Sequence, residues 1–219
     1  RTPLAMMRTT LDVAIAKPEG VPPPTRSLDA NLRQDLDRAD RLVDGFLVLS
    51  RAQTRAITDR SSVSLERIVV AALARRGDAI AQKQIEVQTA LAPIGVPGSE
   101  TLLARMVENV IENSVRHNQP HGFIDIDCEN IGGAGRLVVE SGGPVLDEDN
   151  VARLAQPFRR LSAERTGSEN GHGLGLSIVA AVANAHGGAL ELHARPQGGL
   201  RVQITLPAAT PARTTPAPS

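Results

Sequence analysis

The chain contains no tryptophan, no tyrosine, three phenylalanines and one cysteine, Cys128. A core without aromatics must be built from Leu, Val, Ile and Ala. One cysteine excludes a disulfide framework and argues against a structural zinc site, and it fits a reducing compartment. Cys128 reads as a small hydrophobe in a strand, with a reactive thiol as the alternative. Charge of one sign is not in excess: Lys plus Arg and Asp plus Glu are 24 each. That argues against non-specific nucleic-acid binding, which needs a basic surface. No apolar run approaches the ~20 residues of a membrane span, and no signal peptide is expected within these residues. The first residue is Arg1, so the chain reads as a piece of a longer one. This portion is expected to be cytoplasmic, with any membrane anchor upstream.

What is present suits a globular fold. The 219 residues are 41% hydrophobic, enough for one good domain and a smaller element. Residues 1–16 read as a helix, with Pro3 tolerated in the first turn. The stretch from Lys17 to Pro24, with four Pro and a Gly, must turn. A second helix runs from a cap at Ser27 to about Gln53. Its apolar positions Leu28, Leu32, Leu36, Ala39, Leu42, Val43, Phe46 and Leu49 step by three and four. Residues 1–55 thus read as a helical hairpin whose stripe needs a partner, as in a dimeric four-helix bundle.

A polar linker near Thr54–Ser62 follows. The expected elements are then a helix from Ser64 to about Gln84, a strand Ile85–Leu91 and a helix Ser99–Asn118 capped by Ser99. Next come an antiparallel strand pair, Gly122–Glu129 and Arg136–Ser141, and a long irregular segment Gly143–Gly171 of the kind that forms lids. A helix Leu174–Ala185 and two strands, Ala189–Ala194 and Leu200–Leu206, close the domain. Residues 208–219 are rich in Pro, Ala and Thr and read as a disordered tail.

Three segments carry chemistry. Asn109 and Asn113 are four apart on one helix face, although Asn is a poor helix former. Their carboxamide oxygens are hard ligands suited to Mg²⁺, and Arg116 one turn on could meet phosphate; a plain polar helix face is the alternative. Glu140, Ser141, Gly142 and Gly143 end a strand with an acid and glycines. A carboxylate there can accept from an exocyclic amino group, and glycine lets backbone lie close to a flat ring; an ordinary turn is the alternative. Gly171, His172, Gly173, Leu174 and Gly175 open a helix, where free amides bind phosphate. A lone glycine motif is weak. Neither a dinucleotide-binding βαβ unit nor a Lys-Ser or Lys-Thr phosphate loop surrounds this one. His117, His121, His172, His186 and His193 show no metal-ligand spacing.

In combination, over about residues 60–207, these segments resemble the catalytic half of sensor histidine kinases, the GHKL or Bergerat type of ATP-binding fold. The Asn segment looks like the asparagine box, the Glu140 segment like the first glycine box, Pro157 and Phe158 like the phenylalanine box, and Gly171–Gly175 like the second glycine box. Arg1, Thr2, Pro3 and Leu4 match the family's acceptor helix, so residues 1–55 resemble its dimerisation hairpin. The resemblance implies an α/β sandwich, a mixed and mostly antiparallel sheet packed on helices, with ATP and Mg²⁺ as cofactors. It implies that Asn113, assisted by Asn109, holds Mg²⁺ and that Arg116 touches phosphate. His117 stands where Tyr usually packs on adenine, and Glu140 where Asp usually reads its edge. Phe158 and His172 join the pocket; Gly142 lies beside the base; Gly171, Gly173, Leu174 and Gly175 cradle phosphate under a lid at 145–170. Thr2 falls where a residue positions water for dephosphorylating the response regulator.

The phosphoacceptor His of the family belongs three positions before Arg1. The expected partners are therefore a His-bearing acceptor segment, upstream or on another chain, a response-regulator receiver domain and a second copy of this chain; no nucleic acid is expected. The implied activity is histidine kinase. Family hydrolases carry Glu where Asn109 stands, which disfavours a plain ATPase. Two rivals remain: a degenerate module that binds without turnover, and a Ser/Thr kinase of the anti-sigma type, against which the hairpin argues.

Overall fold

A computed structural model describes residues 61–151, 154–155 and 175–208. The expected hairpin and tail fall outside the described residues, as do Thr2, Phe158, Gly171, His172, Gly173 and Leu174. Helix α1 (Leu65–Arg75) starts at Ser64, whose side chain accepts from the Arg67 amide at 3.3 Å. It buries Leu65, Ile68, Val69 and Ala72, spaced three and four apart. Helix α2 is Gly77–Lys83, and helix α3, Glu100–Arg116, buries Leu102, Leu103, Met106, Val107, Val110 and Ile111. Helix α5 (Gly175–Ala185) is buried through Leu176, Ile178, Val179 and Val182; a short α4 spans Glu148–Val151.

The main sheet has the order β2-β4-β5-β7-β6. Its strands are β2 (Glu86–Leu91), β4 (Phe123–Ile131), β5 (Ala134–Ser141), β6 (Ala189–Ala194) and β7 (Leu200–Pro207). β2 runs parallel to β4; the other pairs are antiparallel. The β4–β5 turn is Gly132-Gly133 with φ of 59° and 84°, the left-handed pair that a tight hairpin requires. Strands β1 (Ser62–Ser64) and β3 (Gly95–Pro97) form a separate antiparallel ribbon. Ile124, Ile126, Leu137, Val139, Val202, Ile204 and Leu206 line one sheet face and are buried under α3 and α5. The core is aliphatic, as the composition requires; Phe123 sits half-buried on the other face.

Four local expectations are corrected. The helix expected over Ser64–Gln84 is two, because Arg76 takes φ −108°, ψ 7° and glycine, a poor helix former, follows. Ser99 occupies the N-cap of α3 but makes no side-chain cap; its amide instead donates to His186 Nε2 at 3.3 Å. Ser62, read as linker, begins β1, a strand too short for periodicity to reveal. The segment after Gly143 is not irregular throughout: α4 is tied to β6 by Glu148, which accepts from the Ala194 amide at 2.7 Å.

Candidate functional site

Helix α3 carries Asn109 and Asn113 one turn apart, both half-buried. Asn109 Nδ2 donates to the Arg105 carbonyl at 2.7 Å. The amide nitrogen is thus used inside the helix, and Oδ1 is the outward group. That oxygen faces the first residue of α5: a Cβ added to Gly175 would lie 3.5 Å from it. Among the described residues, the Asn113 carboxamide makes no hydrogen bond. One hard oxygen, that of Asn109, therefore stands at the head of the glycine-led helix, with Asn113 one turn further along α3. No cluster of three His, Cys, Asp or Glu side chains suited to a metal occurs among the described residues; carboxamide oxygens are hard donors of the kind that suit Mg²⁺.

The far end of α3 meets the second motif. A Cβ at Gly143 would come within 2.9 Å of the His117 carbonyl oxygen. Buried Asn118 donates Nδ2 to the Phe123 carbonyl at 2.9 Å, and the Gly142 amide donates to that same oxygen at 3.1 Å. The loop after α3, the start of β4 and the glycine pair after β5 are thereby stitched together.

Glu140 is turned away from this junction. The cross-strand row Asp125, Glu140, Arg201 and His193 lies on the sheet face opposite the helices, whereas Ile124, Ser141 and Leu200 lie on the helix-packed face. The Glu140 carboxylate pairs with Arg195, Nε to Oε2 at 3.0 Å, and with Arg201. The Arg195 guanidinium also stacks 4.5 Å from the centroid of the Phe123 ring. Side chains alternate along a strand, so one residue of offset exchanges the faces. The residue offered to the helix side is Ser141. It is 5% exposed, and its hydroxyl has no hydrogen-bond partner among the described residues. A buried unpartnered hydroxyl asks for a ligand.

Arg116 donates to Glu112 at 2.9 Å, and Glu112 also pairs with Arg76 at 2.6 Å. Its guanidinium therefore already has an acid beside it. His117 is exposed and Gly142 buried. Burial pushes the Cys128 thiol up to about 11, which makes it a core residue rather than a nucleophile. Burial, and then the charge of Glu140, raise the Asp125 carboxyl above its usual range. Burial lowers the His186 pKa. That ring bonds the Val182 carbonyl through Nδ1 at 2.8 Å and the Ser99 amide through Nε2, tying the start of α3 to the end of α5. Sequence reasoning gave no individual role to Ser141, Lys83 or His186. The period-two alternation already seen in β5 was a signal for the first.

A cavity of about 390 Å³ lies between α1 and α3, lined by Arg67, Ala71, Arg75, Glu100, Ala104 and Glu108 among others. None of the motif residues lines it.

Residues 98–210, just over half of the chain, match the family model described as histidine kinase-, DNA gyrase B-, and HSP90-like ATPase. The chain belongs to this family, and the matched segment is an ATPase domain of the sensor histidine kinase kind. Sensor protein CutS of Streptomyces coelicolor is 38% identical over 208 residues, covering 94% of this chain and 50% of CutS. Sensor protein QseC of Escherichia coli O157:H7 is 28% identical, covering 94% and 44%. The chain spans about half the length of the curated relatives it matches. The mycobacterial sensor histidine kinase MprB superposes with a TM-score of 0.59 at 28% identity, over 68% of this chain and 97% of that one. Full-length ShkA in complex with AMPPNP shares the fold, with a TM-score of 0.73 at 24% identity, over 95% of this chain and 45% of ShkA. No helix among the described residues is long and apolar enough to cross a membrane.

Proposed function

We propose that this chain is the nucleotide-handling part of a two-component kinase. It binds MgATP and passes the γ-phosphoryl group to a histidine outside the chain, and thence to an aspartate on a receiver domain. The observation that carries this is a convergence: Asn109 faces the head of α5, and the end of α3 abuts the glycines after β5. In this reading the Asn113 and Asn109 oxygens hold Mg²⁺, which supplies charge neutralisation at the phosphates. Amides around Gly175 hold the phosphate oxygens. Arg116 and His117 border the nucleotide from the last turn of α3. The acceptor imidazole attacks the γ-phosphorus in line; a nitrogen–phosphorus bond forms as the bond to the bridging oxygen breaks, and ADP leaves.

At the base edge this reading replaces Glu140 with Ser141. A hydroxyl can accept from an amino group and can also donate. Phe158, His172 and the segment 145–170 keep their proposed pocket and lid roles, and Thr2 its role in dephosphorylation. The partners are a receiver domain, the His-bearing segment and a second copy docked through residues 27–53; the domain works on the cytoplasmic side. Radiolabel transfer from ATP to a separately supplied His-bearing hairpin tests the metal role. Asn113→Ala is expected to abolish it, and undiminished transfer would refute that role.

A second reading has one observation in its favour. The helix-side strand tip carries a neutral serine rather than an acid, which fits a module that holds partners and takes nucleotide feebly. Calorimetry separates the two: no heat at millimolar MgATP favours the second.

A further inference from the structure

Lys83 closes α2, and its ammonium donates to three main-chain oxygens: Val115 at 2.8 Å, Arg116 at 2.8 Å and Asn118 at 3.0 Å. An ammonium has three N–H groups and accepts nothing, so its capacity is filled by one turn of backbone. The Lys83 carbonyl in turn accepts from the His121 amide at 2.9 Å. Gln84 follows in the left-handed region at φ 52°, which reverses the chain into β2. One lysine thus grips both the end of α3 and the loop that leaves it.

The oxygens it grips are special. The last carbonyls of a helix have no intrahelical partner, and together they form its negative pole. Anions are favoured at the opposite pole. Yet Asn113, Arg116 and His117 lie on this same last turn, and Arg116 already answers to Glu112. A polyphosphate held here stands beside carbonyl dipoles of the wrong sign, with a neighbouring guanidinium half-neutralised by an acid. A cation seated on those carbonyls removes the conflict.

We propose that Lys83 is a positioning residue for nucleoside polyphosphates. It neutralises the carbonyl pole of α3 and fixes the turn that presents Asn113, Arg116 and His117. The inference rests on the MgATP reading above. Its signature is a dependence on phosphate charge, which general destabilisation of the fold would not produce.

The test is calorimetric titration of the full chain and its Lys83→Met and Lys83→Arg variants with MgATP, MgADP and AMP. Lys83→Met is expected to weaken MgATP binding about tenfold, the scale typical of outer-shell supports of a metal site. The loss should be smaller for MgADP and absent for AMP, and higher salt should narrow the gap. Lys83→Arg should recover most of the MgATP affinity. An equal loss for all three ligands, or none, overturns the proposal. Should Lys83→Met fail to fold, Lys83→Gln takes its place in the same comparison. Arg136→Gln, which breaks a distant hairpin ion pair with Glu129, controls for destabilisation and should leave all three affinities unchanged. Wild-type chain that ignores MgATP sinks the underlying reading; wild type that binds, with Lys83→Met binding equally, sinks the role of Lys83 alone.

Discussion

At the scale of single residues, the account turns on which side chain a strand offers to its helices. Glu140 pairs with Arg195 and Arg201 on the outer face, while Ser141 is buried and unpartnered on the inner one. Glu140→Gln should therefore leave MgATP affinity unchanged while costing at most about 1 kcal/mol of stability, as partly exposed ion pairs do; titration and denaturant melts check both. Ser141→Asp should shift preference towards adenine over guanine roughly tenfold, since a carboxylate only accepts and charged hydrogen bonds are the stronger ones. Competition of ATP against GTP measures it, and an unchanged ratio removes Ser141 from the base edge. His186 gives a pH dependence. Its folded pKa lies below the ordinary 6.5, so below pH 6.5 the unfolded chain takes up a proton that the folded one resists. Stability should be complete above that pH and fall beneath it. A His186→Gln variant, melted across the same range, should show a shallower fall. The residue types at the site were readable as motifs. The outward turn of Glu140 was not, because it depends on register, and neither were the contacts of Lys83 and His186, which link segments 32 and 87 residues apart in sequence.

At the scale of elements, α3 is the hub. Its start is tied to α5 through His186, its middle faces Gly175, and its end is held by Lys83 and Asn118. Periodicity exposed this helix well, because Leu103, Met106, Val107, Val110 and Ile111 repeat as a buried stripe. The strands of the antiparallel pairs were equally plain in the sequence, to within a few residues at their ends. The ribbon of β1 and β3 escaped notice, since each strand has three residues and neither marks a period. The division of α1 from α2 escaped it because apolar spacing continues past Arg76. One element-level prediction concerns the β6–β7 loop. Gly199 sits at φ +95°, and a Cβ there would overlap the Ser141 carbonyl. Gly199→Ala should cost roughly 2–4 kcal/mol and displace the strand tip, so that both the melting temperature and MgATP affinity fall. A variant with normal stability and affinity would show that the tip does not depend on this close approach.

At the scale of the whole molecule, no single motif makes a nucleotide site; the proposed function needs the sheet and helices to bring several together. Order along the chain suggested the convergence, and the packing supports it: α3 lies across the inner face with one end on the glycines after β5 and its flank on the head of α5. The elements that do this are local helices and hairpins plus one parallel strand pair, β2 with β4. The central claim is that Asn113, Ser141 and Gly175 border one MgATP cleft. Amide NMR during titration of the chain with a non-hydrolysable MgATP analogue tests it most directly. The account predicts that the three amides shift together with one shared midpoint, and that Asn113→Ala abolishes the shifts at Ser141 and Gly175. Shifts confined to one of the three, or three different midpoints, would contradict it.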